Sequence, residues 1–371
     1  MESPWIPETT LSSDYCHLYT PDRRPFKSNF CRQMEPEDRH PDLDAAASTT
    51  VYVLELGGQD DDFAVFEAES AASGVERVAP GLATARGLTD RVRQLAYTRS
   101  ASELLGRGDP DVESARSILS AASIERSGTV AVRAVDVRGQ TGVDTQRAER
   151  EMGQTLVDRG FAVDLDDPDN ELRVFFAEGG CAVGWLVAES VRDYGTRKPT
   201  DRPFFQPGSM DPLLARALAN AAGARPGATV LDPMCGTGGI LVEAGLVGAQ
   251  VLGTDTQAKM VDGSRENLAH FLDGGYHVAR GDARSLPVAD GSVDAVVFDA
   301  PYGRQSKIEG QLDSLVFEAL QEARRVAPRC IVVGDRPWAQ PAHEAGWTTE
   351  AAFDRPVHRS LTRYVLALRR A

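Results

Sequence analysis

Hydrophobic and polar positions follow two regimes along the chain. From Pro212 onward, segments with helix-spaced apolar positions alternate with short apolar runs. The pattern predicts helices over Pro212–Ala222, Gly239–Leu246, Lys259–Leu272 and Leu312–Val326. Between them it predicts strands over Thr229–Leu231, Gln250–Thr254, Tyr276–Arg280, Val293–Phe298 and Cys330–Gly334. A terminal strand pair near Thr348–Phe353 and Tyr364–Leu368 closes the series. This alternation implies a doubly wound, mostly parallel sheet, with ligand sites at the carboxyl ends of its strands.

The upstream half reads differently. Val51–Leu56 predicts a strand ended by Gly57-Gly58, and Asp62–Ser73 a helix with Phe63, Phe66 and Ser70 along one side. Arg91–Thr98 reads as a further strand and Val112–Ala122 as a helix. Then come a strand over Thr129–Val137 and a helix over Thr145–Arg159, capped by Asp144 and ended by Gly160. Strands over Leu172–Ala177 and Cys181–Ala188 follow, separated by Gly179-Gly180. That order suits an α/β RNA-binding module. Tyr194–Gly208, rich in Pro, Arg and Lys, reads as a linker. It is either a solvated hinge or a patch where basic residues beside Phe204 and Phe205 touch RNA.

Residues 1–48 carry little periodicity, many Pro and charged residues, and the run Ala45-Ala46-Ala47-Ser48. They read as a disordered extension. The spacing of Cys16, His17, Cys31 and His40 fits no zinc template, so no metal is expected. No run of eighteen apolar residues appears, so no membrane helix is expected. The first thirty residues lack an apolar signal core, so the expected location is the cytoplasm. The expected state is a monomer.

Charge complicates a nucleic-acid partner. The formal net charge is −15, whereas phosphate contacts favour basic proteins. Of 40 basic residues only Lys27, Lys198, Lys259 and Lys307 are Lys. Scarce Lys with abundant Asp suits a salt-loving proteome, where an acidic surface serves solubility.

The candidate chemistry sits at predicted strand ends. Asp232-Pro233-Met234-Cys235-Gly236-Thr237-Gly238-Gly239 joins the first strand to its helix. Glycines there let a ligand lie on the backbone, and the helix start favours an anionic group. A dinucleotide fingerprint would need a third glycine where Leu241 stands, which argues against a nicotinamide oxidoreductase. Asp232 could meet an ammonium group. Asp255, ending the next strand, can accept ribose hydroxyls. Asp282, after the third, can accept from an adenine amino group. Asp299-Ala300-Pro301-Tyr302 ends the fourth strand. A conjugated exocyclic amine is a poor nucleophile. Asp299 and the carbonyl near Ala300 can hold its two N–H bonds while Tyr302 stacks on the base.

These motifs resemble the class I S-adenosylmethionine-dependent amino-methyltransferases, whose signature is Asn/Asp-Pro-Pro-Tyr. Phe205-Gln206-Pro207-Gly208 resembles the segment that closes over methionine in that class. Residues 51–190 resemble a ferredoxin-like plus THUMP module, chiefly through Val130–Val137 and Pro168-Asp169 before Leu172–Phe176. The whole is most similar to the archaeal THUMP-domain tRNA (guanine-N2) methyltransferases acting at position 10. The resemblance implies an α/β chain: an α+β ferredoxin-like/THUMP module at 51–190, a linker at 191–206, and a Rossmann-like class I methyltransferase domain at 207–371. It implies S-adenosylmethionine as cofactor, held by Phe205, Pro207, Asp232, Pro233, Gly236, Gly238, Asp255, Asp282 and Ala283. It implies Asp299, Ala300, Pro301 and Tyr302 as the catalytic group, and tRNA as the partner giving mono- and dimethylguanosine. Ala300 departs from the family's Pro, so Ala300→Pro is expected to be tolerated, and Tyr302→Phe to be mild because stacking needs only the ring. Two alternatives stand beside this: N6-adenine methylation of DNA or RNA, and a tRNA-binding protein without activity.

Overall fold

The computed structural model describes residues 50–302, 306–358 and 361–370. The expected extension at 1–48, with its Cys and His residues, lies outside the described residues. The amino-terminal half forms β1 (Tyr52–Leu56), α1 (Asp61–Ala68), β2 (Ala72–Ser73), β3 (Glu76–Ala79), β4 (Leu82–Ala85), β5 (Gly87–Leu88) and β6 (Thr98–Gly108). It continues with α2 (Val112–Ala121), β7 (Thr129–Asp136), α3 (Thr145–Val157), β8 (Ala162–Val163), β9 (Asn170–Ala177) and β10 (Gly180–Glu189). Eight of these strands make one sheet in the order β3-β4-β1-β6-β10-β9-β7-β8.

Two expectations fail here for physical reasons. The segment expected as a strand at Arg91–Thr98 is a 3-10 turn over Asp90–Gln94, and the strand begins only at Thr98. β6 runs for 11 residues, most of them Ser, Ala, Gly, Arg or Glu around Leu104-Leu105. Ladders with β1 and β10 hold both its edges, so it needs no β-branched signature. The helix expected to reach Ser73 ends at Ala68, and four strands too short for a period-2 pattern follow it.

The carboxy-terminal half matches its alternating pattern. It contains α4 (Pro212–Ala222), β11 (Thr229–Asp232), α5 (Gly239–Leu246), β12 (Gln250–Asp255), α6 (Ala258–Phe271) and β13 (Tyr276–Arg280). It ends with β14 (Ala295–Asp299), α7 (Ser306–Val326), β15 (Arg329–Gly334), α8 (Ala339–Glu344), β16 (Trp347–His358) and β17 (Leu361–Arg370). The sheet order is β13-β12-β11-β14-β15-β17-β16. All neighbours are parallel except β17, which runs antiparallel to both β15 and β16. Val230, Val296, Val297, Phe298 and Val332 are wholly buried, as expected of strands covered on both faces. The strand order reverses at β11 and β14, where a crevice forms at the carboxyl edge.

The two halves share one core. Leu54, Phe63 and Ala64 belong to the same buried cluster as Leu214, Leu218 and Val230. Glu67 of α1 is 0% exposed and accepts from the amides of Ala96 (2.6 Å) and Tyr97 (2.7 Å) and from Asn220 Nδ2 of α4 (2.7 Å). Asn220 Nδ2 also donates to the Gln94 carbonyl at 3.0 Å. Arg355 of β16 lies 4.4 Å from the Phe63 ring and 4.7 Å from that of Tyr97, and reaches Asp60 at 3.2 Å.

The segment expected as a solvated or RNA-touching linker is neither at Arg197 and Arg202, both of which are buried. Glu243 of α5, wholly buried, pairs with Arg197 and with Arg216 of α4, each at 2.8 Å. The connection is therefore clamped to the second sheet and not a free hinge.

Asn220→Ala removes the one side-chain donor to a buried carboxylate, a loss of about 1–3 kcal/mol. Burial already raises the Glu67 carboxyl, and its amide and Asn220 bonds pull it back. A raised folded-state pKa means stability is present below the ordinary carboxylate range and falls as pH rises through the raised value. Removing Asn220 raises it further. Urea denaturation should therefore show a deficit at neutral pH that shrinks in acid, and a pH-independent deficit would contradict this role for Asn220.

Candidate active site

β11, β12 and β14 deliver Asp232, Asp255 and Asp299 to one edge of the sheet. The turn after β11 uses two left-handed glycines, Gly236 at φ +51° and Gly238 at φ +76°. They do different things. A Cβ on Gly238 would lie 2.4 Å from Ser264 Oγ, so this glycine lets the turn press on α6. A Cβ on Gly236 would meet nothing within 4 Å, so this glycine faces open space. Asp255 fixes the turn: its carboxylate accepts from the amides of Gly236 (3.1 Å) and Gln257 (2.9 Å).

A strap crosses above. Gln206–Met210 line a cleft of about 200 Å³ together with Asp232, Gly236, Thr237 and Asp299. Asn267 of α6, fully buried, holds the strap to the turn. Its Nδ2 donates to the carbonyls of Phe204 (2.9 Å) and Thr237 (2.8 Å), and its Oδ1 accepts from the Phe204 amide (2.9 Å). Ser209 and Thr237 hydroxyls meet at 3.1 Å. The Phe204 ring fills the space left by Gly263, while Phe205 is an exposed ring.

The electrostatics of the cleft are one-sided. Asp232 is buried on its floor and accepts from the Met234 amide at 3.0 Å. Burial pushes its carboxyl well above the usual range, and the nearby charges of Asp299 and Asp255 push the same way. Asp299 is also raised by burial; the Tyr302 hydroxyl and Arg363 lower it, and Asp335 raises it. The Tyr302 hydroxyl donates to Asp299 Oδ1 at 2.7 Å and accepts from Arg363 Nε at 3.0 Å. Tyr302 still exposes 38% of its surface, so the ring is open while its hydroxyl is held. That corrects the expectation that the hydroxyl is idle.

The candidates do not all converge. Pro207, Asp232, Gly236 and Asp299 line the cleft. Pro233 and Gly238 shape its turn through the Pro233 carbonyl, which accepts from Thr254 Oγ1 at 3.0 Å, and the contact with Ser264. Asp282 is engaged by Arg284 at 2.6 Å, which holds its carboxyl below the usual range, and it does not line the cleft. Ala283 packs into the core with Leu286 and Leu320. Ala300 is buried, beside the exposed Pro301.

The sequence reading missed Arg363, Asn267 and the role of Arg202. A lone Arg in a late strand and a lone Asn in a helix carry no motif. The sequence leaves Arg202 either in a solvated hinge or beside RNA. Instead its Nε donates to the Arg197 carbonyl at 3.1 Å, and its Nη1 and Nη2 are buried without partners. Nη1 lies 2.7 Å from where a Cβ of Gly239 would sit, at the start of α5. A buried guanidinium beside a helix N-terminus is a pair of like charges that a bound anion would relieve.

These features fit S-adenosylmethionine. The open face of Gly236 leaves room against the backbone, the Asp232 carboxylate suits an ammonium, and the unpartnered Arg202 suits a carboxylate. Among the described residues, no cluster of His, Cys, Asp and Glu could hold a metal ion. Among them also, no helix is long and apolar enough to cross a membrane.

Ala300 makes a backbone bond that a proline in its place could not make. Its amide donates to the Val333 carbonyl of β15 at 2.8 Å. Proline has no N–H, so Ala300→Pro deletes this bond. The substitution should cost about 0.5–1.5 kcal/mol in a denaturant titration. An unchanged or higher midpoint would show that the bond contributes nothing.

Comparison with known proteins agrees with this geometry. The family described as UPF0020: RMKL-like, methyltransferase domain, matches residues 199–363. A tRNA (guanine(10)-N2)-dimethyltransferase of Methanothermobacter thermautotrophicus is 34% identical over 342 residues, 89% of this chain and 97% of the relative. Proteins of the same name from Methanocaldococcus jannaschii and Pyrococcus abyssi are 35% and 31% identical. They align over 54% and 64% of this chain, and 60% and 73% of their own lengths. The chain belongs to the tRNA (guanine(10)-N2)-dimethyltransferase family.

Proposed function

We propose that this chain transfers methyl groups to the exocyclic N2 amine of the guanosine at position 10 of tRNA, first one and then a second. The observation that carries the reading is the Asp299–Tyr302 pair, buried at one end and open at the other, beside the cleft floored by Asp232. The relatives' shared substrate supports guanine over adenine. When bound, S-adenosylmethionine supplies an electrophilic methyl group on sulfur.

The chain's own residues do the rest. Asp232 would hold the cofactor's ammonium and Arg202 its carboxylate, under the strap at Phe205 and Pro207. Asp255 keeps the Gly236 turn open and faces the ribose. Asp282 stays with Arg284 and lies outside this set. Tyr302 offers its ring face to a base turned out of the RNA. Asp299 Oδ1 is used by Tyr302, which leaves Oδ2 for an N–H of the amine. The carbonyl beside Ala300 takes the other. Burial makes Asp299 a stronger base than an ordinary carboxylate, so Oδ2 also suits the proton that the amine gives up. Residues 51–190 act as the ferredoxin-like and THUMP part that grips the tRNA. Their shared core with the second half supports a fixed distance between grip and cleft.

Asp299→Ala removes the side-chain acceptor and leaves the Gly236 turn intact. It should cut single-turnover methyl transfer to unmodified tRNA by about 10²–10⁴. Calorimetric affinity for S-adenosylmethionine should change little. A near wild-type rate would mean that this strand end is only a turn.

A further inference from the structure

β17 runs antiparallel, so its first residues reach the carboxyl edge where β14 ends. Arg363 is the consequence. It is only 6% exposed, yet it makes three directed approaches. Its Nε donates to the Tyr302 hydroxyl at 3.0 Å, and its Nη2 donates to the Gly208 carbonyl of the strap at 3.4 Å. The same Nη2 stands 3.9 Å from Asp299 Oδ2. Tyr302 closes the ring of contacts by donating to Asp299 Oδ1.

The consequence for Tyr302 is orientational. A phenol hydroxyl has one hydrogen to give. With Arg363 supplying a donor, that hydrogen is directed to Asp299 and the ring is held at both its edge and its root. The consequence for Asp299 is electrostatic. Among the described residues, Asp232 of β11 and Asp335 after β15 are the acids near it, Tyr302 is the hydroxyl and Arg363 is the cation. Two acids and burial favour a neutral Asp299. A neutral carboxyl spends one oxygen on a hydrogen and loses acceptor capacity for the amine.

We propose that Arg363 is a positioning residue that keeps Asp299 ionised as the amine acceptor and fixes Tyr302 as the base platform, and that it ties both to the cofactor strap through Gly208. This rests on the methyl-transfer reading above. Arg363 touches no reacting atom and acts through its two partners. Arg suits the task because its planar fork serves three acceptors at once, which a lysine ammonium on a flexible stem does not.

The test is the pH dependence of single-turnover methyl transfer to tRNA by wild type, Arg363→Gln and Arg363→Lys, with S-adenosylmethionine affinity measured in parallel. Arg363→Gln should lose about 10- to 100-fold in rate at neutral pH, as for a broken charged hydrogen bond. Its acidic limb should move to higher pH, because the cation that lowers the Asp299 carboxyl is gone, so part of the rate returns in base. Arg363→Lys should keep the wild-type limb and still lose rate, since the charge remains and the fork does not. Cofactor affinity should shift only a few-fold. A uniform loss at every pH in Arg363→Gln, or no loss, overturns the inference while leaving the methyl-transfer reading standing. Absence of methyl transfer by the wild-type chain overturns that reading instead.

Discussion

Burial of the Asp299 carboxylate at the end of β14 sets the terms for the surrounding site. The group is useful only as an ionised acceptor, yet its location and the neighbouring carboxylates of Asp232 and Asp335 favour the neutral form. A hydroxyl from Tyr302 and a guanidinium from Arg363 counter that tendency. The antiparallel course of β17 brings its first residues, Arg363 among them, to the edge where β14 ends. The same guanidinium reaches the strap that lines the cleft, so Asp299, Tyr302 and the strap are parts of one network.

A second constraint acts at longer range. Glu67 of α1 and Asn220 of α4 join the two halves by buried polar contacts in an otherwise apolar core, and the half-buried Arg355 adds a contact at its edge. Buried polar contacts are geometrically demanding, because an unpaired group is costly. They fix one packing of α1 on α4 where apolar contacts alone would allow sliding. A substrate gripped by the first half would then meet the cleft at a set distance.

Much of the second half was legible because parallel strands are apolar on both faces and their ends are marked by Asp. The pattern gave β11 to β15 in order, and with them Asp232, Asp255 and Asp299. The first half was less legible. β6 hides in Ser, Ala and Gly because ladders on both edges hold it, and β2 to β5 are too short to show a period. Asp255 and Asp282 look alike in sequence, and neither lines the cleft: Asp255 holds the Gly236 and Gln257 amides, and Asp282 pairs with Arg284 two residues on. Arg363 and Asn267 act through partners 61 and 63 residues away, which no local motif encodes, and the burial of Arg202 against Gly239 is likewise invisible to one. Arg197 is hard to place from sequence for the same reason: an Arg-rich segment looks solvated until a buried Glu243 is found beside it.

The central claim concerns which atom receives the methyl group. Unmodified tRNA should be incubated with the full chain and S-adenosylmethionine, digested with a guanosine-specific nuclease, and its fragments read by mass spectrometry. The account predicts N2-methylguanosine followed by N2,N2-dimethylguanosine in the fragment containing nucleotide 10, and no methyladenosine. Methyl groups on adenosine, or on a guanosine elsewhere in the tRNA, would contradict it.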